Sequence, residues 1–249
     1  MNKEIPPFSI KPGEIHVWLF NLDPLNQSYP AWERLLAEDE IARSKRFKFA
    51  LDRLRFIARR GILRQLVGQY TGGNPVEIIY RVNPYGKLSL IGQSISFNLS
   101  HTQDRIVFAF TLEKAVGVDI EQVHPLPDFS RMVEYWFSSE ERARLSALPP
   151  ALQLEAFFHV WTQKEAYIKA RGEGLSLSLK DFSVSSDPNV PGKLLSTRGA
   201  TDDAPLWKMI NYIPDAGWRV AVCVHSEADI NAIWYAPDLS EFLSCGTSG

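Results

Sequence analysis

Apolar and aromatic residues dominate Glu14-Ile15-His16-Val17-Trp18-Leu19-Phe20, a short run that reads as a strand. From about residue 32 to 70 the pattern turns helical, with a break expected near 49–51 and a stop at Gly72-Gly73. Arg81-Val82-Asn83-Pro84-Tyr85-Gly86-Lys87 reads as a turn between short strands. Three strands follow, at 95–100, 106–111 and 115–120. After His124-Pro125-Leu126-Pro127 come helical stretches at 129–136 and 139–147, then a longer one at 152–171, for which Gly172 is the expected stop. Strand-like runs at 182–184, 207–210 and 218–224 come last. Beyond them the pattern is irregular, and an untidy, mobile end is expected.

Each half thus offers strands, a long helix and more strands. That order predicts an α+β fold of two similar α+β halves, residues 1–112 and 113–249, with the active site at their junction. No sequence identity between the halves is evident, so the likeness rests on element order alone. Junctions of this kind are common places for clefts.

With 249 residues, 45% of them hydrophobic, and seven Trp, the chain can bury one large core or two modest ones. No apolar run approaches the ~20 residues of a membrane helix, and MNKEIPPFSI lacks the apolar centre of a signal peptide. A soluble, cytoplasmic protein is expected, without a membrane partner. Cys223 in a strand-like run and Cys245 in the tail form neither a disulfide framework nor a metal-spaced set.

Charge changes the picture more than composition does. Residues 43–64 carry nine basic side chains (Arg43, Lys45, Arg46, Lys48, Arg53, Arg55, Arg59, Arg60, Arg64) against Asp52 alone, so this segment is +8 in a chain of net charge −2. A local basic surface on an otherwise acidic protein suits a polyanion of limited size. Long duplex DNA is better served by proteins that are basic overall.

Two segments carry the candidate chemistry. Trp161-Thr162-Gln163-Lys164-Glu165-Ala166-Tyr167-Ile168-Lys169 puts Glu165 and Lys169 on one helix face, about 5–6 Å apart at Cβ. Gly117-Val118-Asp119-Ile120-Glu121 puts Asp119 and Glu121 on one strand face. If the helix packs beside the strand, three carboxylates and a cation converge, which suits Mg²⁺ with a phosphate. Singly, each feature is ordinary. An Asp-x-Glu pair is most often solvated, and Glu four residues before Lys most often only stabilises its helix. Here the pair ends an apolar strand, where a buried acid needs a partner or a metal. His101, closing Phe97-Asn98-Leu99-Ser100-His101, would by itself be read as a hydrogen-bonded structural residue. A phosphate oxygen is the alternative partner for Ser100 and His101. No Gly-rich phosphate loop, Gly-x-Ser-x-Gly, paired-His metal motif or dinucleotide fingerprint occurs.

The ordered set Phe97-Asn98-Leu99-Ser100-His101, Gly117-Val118-Asp119-Ile120-Glu121 and Trp161-x-x-Lys164-Glu165-Ala166-x-x-Lys169 resembles the 4′-phosphopantetheinyl transferases of the larger, surfactin-synthetase-activating type. Arg46-Phe47, Tyr85-Gly86-Lys87 and Gly172-x-Gly174-Leu175-Ser176-Leu177 extend the likeness over about residues 43–184. The resemblance implies transfer of the 4′-phosphopantetheine arm of coenzyme A to a serine of an apo acyl or peptidyl carrier protein, with release of adenosine 3′,5′-bisphosphate. It implies a pseudo-twofold pair of α+β halves with coenzyme A between them. Asp119, Glu121 and Glu165 would hold Mg²⁺, or Mn²⁺ in its place, and Glu165 is the candidate base. Lys169 and His101 would meet phosphate oxygens with Ser100 nearby. Arg55 matches a 3′-phosphate contact, Arg43 a neighbouring one, and Lys87 a nucleotide-binding lysine.

Two positions depart from the family pattern: Leu88 stands where proline is frequent, and Glu40 where a lysine occurs. Phe129, Met132 and Trp136 are candidates for the apolar part of a carrier-docking surface, although their spacing equally fits core, the reading favoured for Trp136. A monomer is expected, because a pseudo-dimeric chain completes its own site. A nucleic-acid-binding module and a coenzyme A binder without catalysis are the competing readings. The acidic remainder opposes the first, and the full set of carboxylates with Lys169 the second.

Overall fold

The computed structural model describes residues 8–22, 29–197 and 203–245. The N-terminal half runs through β1 (Glu14–Asn21), α1 (Tyr29–Glu33), α2 (Glu38–Ser44), α3 (Ala50–Thr71), β2 (Tyr80–Val82), β3 (Leu88–Leu90), β4 (Ile95–Thr102) and β5 (Arg105–Leu112). The C-terminal half follows with β6 (Val116–Gln122), α4 (Phe129–Trp136), α5 (Ser139–Ala147), α6 (Pro150–Arg171), β7 (Ser183–Val184) and β8 (Leu194–Ser196). The chain then forms β9 (Trp207–Tyr212), β10 (Trp218–His225), β11 (Asn231–Tyr235) and α7 (Leu239–Cys245). Among the described residues, no helix is long and apolar enough to cross a membrane.

Strand pleating accounts for the layers. In β1 and β5, Ile15, Val17, Leu19, Val107 and Ala109 face one way, while Trp18, Phe20, Ile106, Phe108 and Phe110 face the other. The second set meets Phe56, Ile57, Ile62, Leu63, Leu66 and Val67 of α3. In β6 and β10, Val116, Val118, Ile120, Val220, Val222 and Val224 meet the first set, and Ala221 and Cys223 face Ala166 and Ala170 of α6. The order is therefore helix, sheet, sheet, helix, with each sheet buried on both faces. Each large buried aliphatic or aromatic side chain contributes about 1.5–3 kcal/mol.

One sheet is ordered β11-β1-β5-β4, the other β6-β10-β9. Edge strands β4 and β6 lie side by side at the junction, where the Val118 N–H donates to Asn98 Oδ1 at 3.0 Å. A side chain thus supplies an acceptor that a strand ladder would otherwise provide. Both long helices stop at a left-handed glycine, Gly72 with φ +68° and Gly172 with φ +70°.

The helical stretch expected from about 32 to 70 divides where a break is expected, but into three helices rather than two. α2 is tied to α3 by buried Glu40, which accepts from Arg64 Nε at 2.5 Å and lies 3.6 Å from Arg60 Nε. This explains an acid at that position: Glu40 anchors one helix to the next. Of the end expected to be untidy, residues 231–235 and 239–245 instead form β11 and α7, and 246–249 lie outside the described residues. β11 pairs in parallel with β1, and Phe242 of α7 is fully buried in the N-terminal core. Residues 231–245 thus belong by contact to the N-terminal half, although they follow the C-terminal half in the chain.

Candidate active site

The carboxylates of β6 meet α6 because residue 117 is glycine. A Cβ at Gly117 would lie 2.1 Å from the Ala166 carbonyl oxygen and 2.3 Å from the Ala170 nitrogen. Its absence lets helix backbone rest on strand backbone. Asp119, two residues on and on the same face, is 3% exposed. Its Oδ1 accepts from Ser100 Oγ at 2.7 Å and from Lys169 Nζ at 2.6 Å, while Lys169 also donates to Ser100 Oγ at 2.8 Å. Three segments distant in sequence therefore meet at one oxygen. Asp119 Oδ2 is buried with no hydrogen-bond partner. An unpaired buried carboxylate oxygen is costly, so this atom marks a place for a cation.

Glu121 and Glu165 complete the acidic group. Burial, then the Asp119 charge, pushes Glu121 up to about 7, with Glu165 adding to the repulsion, while Lys169 and a hydrogen bond from Thr102 oppose it. Burial and Asp119 likewise raise Glu165, again against Lys169. Mutual repulsion in a dry place is what a divalent cation relieves, so these residues fit the Mg²⁺ that the sequence implied. Among the described residues, however, no three His, Cys, Asp or Glu side chains form a finished metal cage. Lys169 and Ser100 hold the other oxygen of Asp119.

Strand β4 distributes its side chains between two functions. Ser100 and Thr102 face the carboxylates; His101, on the opposite face, reaches α3, where its Nε2 meets Arg59 Nη1. A guanidinium can only donate, so this imidazole nitrogen accepts. Burial first, then Arg59, Lys169 and Arg55, lowers His101 to about 4. His101 is thus neutral at physiological pH, and the positive charge here belongs to the arginines.

Beside His101 opens a cavity of about 480 Å³, walled by Arg43, Arg59, Arg60 and Lys87 and floored by Phe47, Phe56 and Phe97. Burial and its neighbours Arg60, Arg43 and Arg55 bring Arg59 down to about 10. Arg55 itself does not line the cavity, and its Nε is buried without a partner. Lys87 lines the wall, but its Nζ donates to the carbonyls of Lys169, Ala170 and Val116. Of the nine residues singled out in the sequence, Ser100, Asp119, Glu121, Glu165 and Lys169 gather at the acidic group. Arg43, His101 and Lys87 border the cavity, and Arg55 is not among its lining residues but acts electrostatically on Arg59 and His101.

The 4′-phosphopantetheinyl transferase HetI of Nostoc sp. is 32% identical over 224 residues, covering 88% of this chain and 91% of its own. The chain belongs to the 4′-phosphopantetheinyl transferases. The psf-1 transferase of Bacillus pumilus is 31% identical over 83% of each chain, and Sfp of Bacillus subtilis 27% over 76% of this chain and 81% of its own. The superfamily model matches residues 115–223, the stretch from β6 through most of β10.

In this phosphopantetheinyl transferase, the roles of four residues escaped the sequence reading. Arg59 and Arg60 were not separated from the basic run, although the phase of α3 selects them for the cavity. Thr102 was missed, although its spacing from Ser100 places both on one strand face. Lys164 supports the site from behind: fully buried, it bonds Glu141 Oε2 at 2.8 Å and the carbonyls of Leu179 and Phe182 at 2.7 and 2.8 Å. Within the Trp161-x-x-Lys164-Glu165 motif, Lys164 therefore faces the core and Glu165 the chemistry.

Proposed function

We propose that this transferase moves the 4′-phosphopantetheine arm of coenzyme A onto a serine hydroxyl of an apo acyl or peptidyl carrier protein. The observation that carries this reading is the adjacency of an arginine-walled cavity and a buried carboxylate group across strand β4. A nucleotide phosphate fits the first and a pyrophosphate-bound cation the second. Residues 1–112 supply the nucleotide-binding basic segment and residues 113–249 the metal-binding strand and helix. Since one chain brings both, a monomer suffices.

Asp119, Glu121 and Glu165 would hold Mg²⁺, which when bound would neutralise charge on the pyrophosphate and ease the departure of adenosine 3′,5′-bisphosphate. Arg59 and Arg43 bind the nucleotide phosphate, and His101 orients Arg59 by accepting from it. Lys169 sets the Asp119 carboxylate and presents its remaining donor to a phosphate oxygen. The serine oxygen forms its bond to the phosphorus next to the pantetheine arm, and the bond from that phosphorus to the bridging oxygen breaks. Adenosine 3′,5′-bisphosphate leaves with the electron pair. The serine proton passes to a Glu165 carboxylate oxygen, directly or through a water.

α4 favours a docking role for the carrier. None of its residues is fully buried, and Met132, Tyr135 and Trp136 border a shallow depression together with Arg131 and Asp128. Trp136 stacks edge-on against Trp161 at 6.1 Å, so it serves the core while keeping one edge toward this surface. An acidic carrier helix meets an apolar patch with an arginine there. The test is intact mass spectrometry of an apo carrier incubated with protein, coenzyme A and Mg²⁺, beside a chelator control. A metal-dependent gain of one phosphopantetheine is expected. Coenzyme A binding without any gain across several carriers would reduce the reading to binding alone.

A further inference from the structure

Lys87 raises a question that its family position does not answer. Its stem lines the arginine-walled cavity, yet its ammonium points elsewhere: Nζ donates to the carbonyl oxygens of Lys169 at 2.6 Å, Ala170 at 2.9 Å and Val116 at 3.0 Å. An ammonium has three donors, and three acceptors are met. Two of these are carbonyls of the last turn of α6, which no helical N–H can satisfy and which carry the negative end of the helix dipole. The third opens β6, the strand of Asp119 and Glu121.

A second side chain of the same loop works alongside it. Asn83 Nδ2 donates to the Gly172 carbonyl at 2.7 Å, while Asn83 Oδ1 accepts from the backbone N–H of Tyr85 and of Lys87, both at 2.9 Å. The loop is thus folded around Asn83 and fastened to the end of α6. Gly172 rests on the lysine stem, where a Cβ would come within 3.0 Å of Lys87 Cδ. Burial lowers Lys87 to about 8, as expected for an ammonium surrounded by neutral carbonyls.

We infer that Lys87 is a positioning residue: with Asn83 it pins the end of α6 and the start of β6 to the N-terminal half, and its ammonium does not serve the nucleotide phosphates. Because Lys87 bonds the carbonyl of Lys169 itself, it fixes where that side chain leaves the helix. The contacts of Lys169 with Ser100 and Asp119 depend on that origin. The inference rests on the transferase reading for its kinetic test, whereas its spectroscopic test stands apart from it.

The spectroscopic arm uses the unaltered protein labelled with ¹⁵N-lysine. The Lys87 ammonium signal, assigned by its loss in Lys87→Arg, should be protected from solvent exchange in the free protein and unmoved by adenosine 3′,5′-bisphosphate. An unprotected ammonium, or one that shifts when the bisphosphate binds, would overturn the inference. In the kinetic arm, Lys87→Met should lower kcat about 30- to 100-fold, the scale of an ångström's misplacement, with KM for coenzyme A changed less than about threefold. Lys87→Arg should recover part of kcat. The preference for coenzyme A over 3′-dephospho-coenzyme A should persist in both variants. A rise in KM at unchanged kcat, or collapse of that preference, would make Lys87 a phosphate ligand instead. If Lys87→Met does not fold, the spectroscopic arm still decides. If the unaltered protein transfers nothing, the transferase reading fails while the ammonium signal remains diagnostic.

Discussion

Substituting Gly117 by alanine tests whether helix-to-strand contact sets the catalytic geometry. The added methyl would meet the Ala166 carbonyl oxygen at 2.1 Å, the Ala170 nitrogen at 2.3 Å and the Lys169 carbonyl carbon at 2.9 Å. All three are backbone atoms of one helix, so no single side chain can yield, and α6 must retreat by about 1 Å to reach tolerable contact. Overpacking of this kind costs about 1–3 kcal/mol of stability. The retreat also carries Glu165 and Lys169 away from Asp119, whose bond to Lys169 is 2.6 Å long. A misplacement of about 1 Å is worth about 100-fold in rate, or about 2.7 kcal/mol of transition-state stabilisation. The assay is carrier modification followed by intact mass, normalised to the folded fraction from a thermal melt. Leu66→Ala serves as control: Leu66 is fully buried in the distant N-terminal core, and its truncation costs about 2–5 kcal/mol without touching the site. Near-normal turnover in Gly117→Ala would refute the argument, as would an equal loss per folded molecule in Leu66→Ala.

Removing Arg59 by Arg59→Ala should weaken coenzyme A binding about 10- to 100-fold by calorimetry, the range for a lost charge-assisted hydrogen bond, and an unchanged Kd would remove Arg59 from the nucleotide site. His159, 2% exposed and with Nε2 unpartnered, is held down to about 4 by burial and by Arg219. It stays neutral in the fold, while the unfolded chain takes up a proton below about 6.5. The contribution of His159 is therefore full above that pH and falls as pH drops toward 4, by about 2.5 kcal/mol at pH 4.5, on top of a like loss from His101. Urea melts at pH 7.5 and 4.5 should show a loss of unfolding free energy smaller by that amount in His159→Gln than in the parent protein; equal losses in the two would contradict it.

The sequence was most legible where chemistry and periodicity coincide. Asp119 and Glu121 share a face because strands repeat every second residue, and Glu165 and Lys169 because helices nearly repeat at four. Helices α4 and α5 begin and end where the apolar pattern places them, and Gly172 stops α6 as expected. What stayed hidden depends on partners far away in the chain. Which arginines of the basic run face the cavity follows from the rotational phase of α3, set by its packing under Trp32 and the sheet. Lys87 looks like a free cation until the carbonyls it bonds, 29 to 83 residues distant, are in place. Strand β11 has only five residues, and its partner β1 lies more than 200 residues earlier in the numbering, so no local pattern announces the pair.

That distant pairing bears on how the chain folds as it is made. Strand β1 cannot receive its parallel neighbour, nor the core its Phe242, until residues 231–245 have left the ribosome. Gln65 Nε2 of α3 likewise waits for the Phe242 carbonyl, its acceptor at 2.5 Å. Domains usually fold in the order of synthesis, and long-range pairing slows closure. Here the half synthesised first is the half completed last, and until then one edge of its sheet is open to pairing with other chains. Shortening the chain at residue 230 should therefore harm solubility before it harms the carboxylates, which stand wholly upstream of the cut.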